Sequence, residues 1–175
     1  MFAMLAFAAD VRVRAVNSSA SSEHLLKAGY VYNFAKLVEW PASMAPSGQP
    51  IVIGVLGNDD FATVLSQVVE RKSRDDRTFV VKRVKSGDLK ACACHILYIG
   101  GPHGEGTAEI IELQNSASVL TIAEASDFAR RGGIVGLTLA GPKVRLVVNV
   151  DAAARASLVI SSRLLALATI VHTAR

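Results

Sequence analysis

A three-layer α/β fold, with a mainly parallel sheet, helices on both faces and a C-terminal antiparallel hairpin, is what this chain of 175 residues predicts. Three observations carry the prediction. Ile51–Leu56 (IVIGVL) and His95–Ile99 (HILYI) are short, continuous apolar runs of the kind found in strands buried on both faces. Segments of helical period alternate with them, as layered α/β folds require. Ala140-Gly141-Pro142-Lys143, between the apolar runs Ile134–Leu139 and Val144–Val150, is a hairpin signal at one end of the sheet.

The elements follow in order. A helix opens near Ser22 and runs to Trp40-Pro41, because the residue before proline avoids helical angles. At about 100° per residue, Leu26, Tyr30, Phe34, Leu37, Val38 and Trp40 share a broad apolar face. Tyr32, Lys36 and Glu39 gather opposite, and Asn33 falls towards the apolar side. Met44–Gln49 is loop, and Ile51–Leu56 the first strand. Asp59 or Asp60 caps a helix over Phe61–Arg71. Thr78–Val84 is a strand, Ser86-Gly87-Asp88 a turn and Leu89–Ala93 one helical turn before the strand His95–Ile99. Gly100–Gly106 is a loop, Thr107–Asn115 a helix, Val119–Ile122 a strand and Glu124–Arg131 a short helix or turn broken by Gly132-Gly133. After the hairpin come a brief helix from Asp151 to Ala156 and a last amphipathic helix over Ser162–His172.

Composition bounds the function. No apolar run reaches the roughly 18 residues of a membrane span. A net charge of +4 and a pI of about 9.3 come from scattered cations without interleaved aromatics, which argues against nucleic acid and for a solvated surface or one anionic ligand. Met1–Ala9 is an apolar leader with Ala6-Phe7-Ala8 as a small-x-small pattern, so residues 1–22 read as a truncated signal peptide or tether and 23–175 as one domain. Cys92 and Cys94 lack partners for a four-ligand metal site; the spacing favours buried strand neighbours, with a labile disulfide as the alternative in an exported protein.

The search for catalytic chemistry finds little. Asp59-Asp60 would suit a phosphoacceptor site, but the later strand ends Ile99-Gly100-Gly101 without an acceptor aspartate. His103 and Glu105 are an acid–base candidate in a glycine-rich loop that fits no phosphate-binding motif. No nucleophile, base and orienting group can be assembled, and no cofactor or metal is implied. Arg130 and Arg131 beside Gly132-Gly133 can present forked donors to an anion, or simply suit a helix end. Tyr32, an aromatic on a polar face, is a candidate anchor for a partner.

Lys27–Pro41 (KAGYVYNFAKLVEWP) resembles the opening signature of the YfiR-like family of periplasmic proteins. The likeness continues through Ile51–Phe61, Cys94–Gly100, Leu120–Leu139, Lys143–Asn149 and Ser161–Ala168, covering about residues 24–171. The resemblance implies a non-enzymatic, exported regulator, often dimeric, that binds the periplasmic part of a membrane diguanylate cyclase or another signalling receptor and represses it. Lower cyclic di-GMP and less biofilm would follow. On the residues' own reading Tyr32, Trp40, Arg130 and Arg131 are the candidate partner contacts; the resemblance adds a small anionic or aromatic ligand, with Arg131, Arg145 and Arg163 as its contacts. A ligand-binding sensor module reporting to a receptor is the alternative.

Overall fold

The computed structural model describes residues 7–44, 46, 48–101, 107–141 and 143–173, with side chains from residue 21 onward. His103, Glu105, Pro142 and the leader residues 1–6 lie outside the described residues. Element order is α1 (Phe7–Leu37), β1 (Val38–Glu39), β2 (Ile51–Leu56), α2 (Asp59–Val69), β3 (Ser73–Arg74), β4 (Arg77–Val84), two 3-10 turns (Ser86–Asp88 and Lys90–Cys92) and β5 (Ile96–Ile99). Then follow α3 (Thr107–Ser116), β6 (Leu120–Ala123), β7 (Val135–Ala140), β8 (Lys143–Asn149), α4 (Val150–Arg155), β9 (Val159–Ile160), α5 (Ser162–Leu165) and β10 (Thr169–Val171).

The eight-stranded sheet has the order β10-β8-β7-β6-β5-β2-β4-β3. Strands β4, β2, β5, β6 and β7 run parallel; β8 turns back against β7, and β10 lies parallel to β8. The main core packs α1, α2, α4 and α5 on one face, through Phe34, Phe61, Leu65, Ala152 and Leu164. A second core packs α3 and Leu89 against the other, through Ile110, Leu113 and Leu97. The expected three layers and the mainly parallel sheet with its antiparallel hairpin are therefore present.

Several local expectations need correction. The first helix begins well before Ser22 and stops at Leu37, not at Trp40. Val38 and Glu39 leave it to pair antiparallel with Ile160 and Val159 of β9, and the Arg74 guanidinium takes the carbonyls of Ala35 and Val38 at 2.9 and 2.5 Å. The helix's buried stripe is Lys27, Ala28, Val31, Phe34 and Ala35, continued by Val38 of β1; Leu26 and Asn33 are exposed. Asn58, rather than either aspartate, caps α2, its Oδ1 accepting from Phe61 N–H at 2.9 Å. Asp59 and Asp60 fill the first turn, where negative charge suits the helix dipole.

The last helix is a single turn. Thr169, Ile170 and Val171 form a strand beside β8, where β-branched residues pack well. Cys92 and Cys94 are joined by a disulfide, because Ala93 adopts a left-handed turn (φ 48°) that brings their Cα atoms to 5.2 Å. The pair is buried against the sheet at Gly54, where a Cβ would lie 2.6 Å from Cys94 Sγ.

Candidate functional site

In a parallel α/β sheet the crevice for ligands opens at the carboxyl ends of strands, where chain order reverses. Here that point lies between β2 and β5, since β4 was laid on one side of β2 and β5 on the other. It is closed by backbone. Gly57 (φ +77°) sits so near Gly100 that a Cβ would be 2.5 Å from the Gly100 carbonyl oxygen, and a Cβ on Gly100 would meet Asn58.

Next to this closure a polar cluster lies beneath α1. Tyr98, fully buried on β5, stacks on Phe61 at 4.0 Å between ring centroids and donates its hydroxyl to Glu124 Oε1 at 2.7 Å. Lys27 of α1 is only 3% exposed and donates to Glu124 Oε2 at 2.7 Å, with Glu23 on its other side. Burial alone would lower the Lys27 pKa, but the two carboxylates outweigh it and hold the ammonium charged. Burial, helped by the Glu124 charge, pushes the Tyr98 phenol well above its usual range, so it stays protonated and keeps its hydrogen for Glu124. The arrangement binds α1 to the sheet across 97 residues of sequence, and its donors and acceptors are spent on one another.

A second cluster closes the opposite end. The buried His95 ring accepts from Val52 N–H through Nδ1 at 3.0 Å, so Nε2 carries the proton and donates to the Met44 carbonyl at 2.6 Å. The Arg77 guanidinium, 3.0 Å from Nε2, is then a neighbouring donor rather than a bonded partner, and it turns Nε to the Gln49 carbonyl at 2.7 Å. Burial holds the His95 pKa below its ordinary 6.5; the Met44 bond opposes this and the Arg77 charge reinforces it. Trp40 packs edge-on to His95 and donates to the His95 carbonyl at 3.1 Å, while Arg74 lies over the indole.

The residues singled out from sequence fall on different parts of the surface. Trp40 belongs to the clamp just described. Tyr32, half-buried, packs edge-on against Phe79 of β4, with the Lys72 ammonium 4.4 Å from its ring centre. Arg130 is exposed, and Arg131 pairs with Asp127 in the turn between β6 and β7. Gln114 and Thr121 hold that turn from inside: Gln114 donates to Gly132 and accepts from Thr121, whose hydroxyl accepts from Ile134 N–H. Arg145 stands on β8 opposite Thr138, and Arg163 in α5. Arg145 lines a cleft of about 370 Å³ that neither Arg131 nor Arg163 lines.

Sequence reasoning missed Lys27, Tyr98 and Glu124, and also the set of His95, Arg74 and Arg77. The one available signal was a lysine in the first signature with helical spacing to buried Val31 and Phe34. Among the described residues, no group of three His, Cys, Asp or Glu side chains is placed to hold a metal, and no helix is long and apolar enough to cross a membrane.

Comparison with known proteins adds to this geometry. The sequence profile of the YfiR/HmsC-like family matches residues 24–169. Comparison with curated proteins gives no match. Among solved structures, the crystal structure of a conserved domain protein from Vibrio cholerae O1 biovar El Tor aligns with a TM-score of 0.50 at 18% identity. The alignment covers 74% of this chain and 56% of that one, so this chain spans little more than half of that protein's length. At that identity the likeness is one of fold, and it agrees with the mixed α/β architecture. Members of the YfiR/HmsC-like family are known as periplasmic regulators of diguanylate cyclases, regulatory rather than catalytic. With the profile matched from the middle of α1 to the start of β10, the chain belongs to the YfiR/HmsC-like family.

Proposed function

We propose that the chain is a non-enzymatic periplasmic regulator. It binds the periplasmic part of an inner-membrane diguanylate cyclase and holds it inactive, which lowers cyclic di-GMP. Family membership over residues 24–169 is the observation that carries this reading. The geometry supports it: the crevice where such sheets receive ligands is closed by Gly57 and Gly100, and the nearby titratable groups are paired with each other. What the fold leaves outside is docking surface, including exposed Leu25, Leu26, Val159, Leu167 and Ile170 and the cations Arg130, Arg145 and Arg163. In this proposal Arg130 and Arg131 contact the partner, Tyr32 adds its half-exposed edge, and Trp40 supports the surface from behind. The working unit is a homodimer.

The test is cross-linking in intact cells followed by purification through a tag on the chain. The reading expects an inner-membrane protein with a diguanylate cyclase domain to be recovered. Recovery of no membrane signalling protein would contradict it.

A second reading, a small-ligand sensor, is favoured by one observation. A cleft of about 480 Å³ beside Phe79 is lined by Arg71 and Lys72 along with Glu70, two cations to one carboxylate, a setting for a ligand with an apolar body and an anionic group. The check is a rise in melting temperature with such a ligand, because a molecule that binds only the folded state stabilises it. No shift with aromatic carboxylates or nucleotides would remove this reading.

A further inference from the structure

Strand β8 is only partly covered on its outer side. β10 pairs with Val147, Val148 and Asn149, whereas Lys143–Leu146 pairs with β7 alone. Among the described residues no strand lies beside that stretch on the β10 side. Unpaired N–H and C=O groups along a strand are a template for another strand. A cleft of about 370 Å³ opens at this step, between Lys143–Leu146 and Ala166–Thr169.

The side chains at the edge have a consistent chemistry. Lys143 and Arg145 stand on one face of β8; Val144 and Leu146 stand on the other and pack with the main core. No acidic residue lines the cleft, and neither Lys143 nor Arg145 forms an ion pair among the described residues. Apolar surface continues alongside, with Leu167 66% and Ile170 47% exposed. Natural edges are commonly guarded by cations that deter pairing with like chains. The same cations attract a segment of opposite charge.

Resting on the regulatory reading, we propose that this open edge is one part of the docking surface: Lys143–Leu146 takes an extended partner segment in which acidic and apolar residues alternate. The alternation follows from register, since neighbours on adjacent strands share a face. Acidic residues lie beside Lys143 and Arg145, and apolar ones beside Val144 and Leu146. Backbone pairing supplies affinity, and the charge on one face selects the segment.

The probe is a labelled octapeptide of alternating Glu and Val, titrated into the full chain by fluorescence anisotropy, with a Lys/Val peptide as control. Saturable binding of the Glu/Val peptide alone is expected, with slowed amide exchange at residues 143–146. Lys143→Glu with Arg145→Glu should weaken it at least tenfold, while Lys85→Glu with Lys90→Glu, an equal change of charge at exposed positions elsewhere, should leave it unaltered. The proposal is overturned by no binding, by equal binding of the Lys/Val peptide, by equal weakening in both variants, or by binding without protection at 143–146. It is also overturned if the chain self-associates through this edge, seen as a dimer lost in the Lys143/Arg145 variant, because the occupant is then a second copy. Cyclic di-GMP in cells separates the two claims. Repression retained by the Lys143/Arg145 variant removes the docking surface and leaves the regulator standing; loss of repression in that variant supports both.

Discussion

Lys27, Glu124 and Tyr98 show how a few buried polar atoms hold a long helix in place. Glu124 bridges the other two, so removing it leaves the ammonium with Glu23 alone and takes the acceptor from the phenol. Breaking a buried pair typically costs 3–5 kcal/mol, and Glu124 is partly exposed, so Glu124→Ala should cost about 3 kcal/mol in urea denaturation. Glu124→Gln keeps an acceptor for Tyr98 and should cost less. His95 gives a test by pH. Its folded pKa lies below the ordinary 6.5, so the unfolded chain takes up the proton first as pH falls. The stability due to neutral His95 is therefore fully present above about pH 6.5 and declines below it, down to the lowered folded value. Melting temperatures measured between pH 7.5 and 5 should fall, and fall less steeply in His95→Gln.

At the level of elements, Asp75 and Asp76 join β3 to β4 in a two-residue turn with both φ angles positive, 50° and 60°. Such turns favour glycine at the second position, since a side chain there costs roughly 1 kcal/mol. Asp76→Gly should accordingly raise stability by up to about 1 kcal/mol, read as a higher urea midpoint. The same turn explains why β3 was invisible in the sequence: Asp-Asp is not a recognised hairpin pair, and two residues carry no period. β1 and β9, also two residues each, were hidden for the same reason. By contrast Ile51–Leu56 was readable to the residue, because a run of aliphatic residues broken only by Gly54 and bounded by Pro50 and Gly57 suits a buried strand. Thr169–Val171 misled because Leu164, Leu167, Ala168 and Val171 also satisfy a helical period. Pairing with β8, a tertiary effect, decided between the two.

Across the whole molecule, the layers and the parallel sheet were legible from alternation of apolar runs with helical segments, and the family from short motifs in order. The polar clusters were not. Lys27 meets Glu124 across 97 positions and Trp40 meets His95 across 55, and no local pattern encodes such pairings. The aromatic signature Lys27–Pro41 is thereby given a physical reading. Val31, Phe34 and Val38 fill the core, Tyr32 braces β4, and Trp40 clamps the base of β5. Much of what marks the family in sequence maintains its fold. In the proposed function, recognition is left to the outer surface.

The most direct measurement of the central claim is cellular cyclic di-GMP in a strain lacking this chain, with and without restoration from a plasmid. The account predicts that the level rises on deletion and returns on restoration, and that both changes vanish when the partner cyclase is also deleted. An unchanged level in the deletion strain would contradict it.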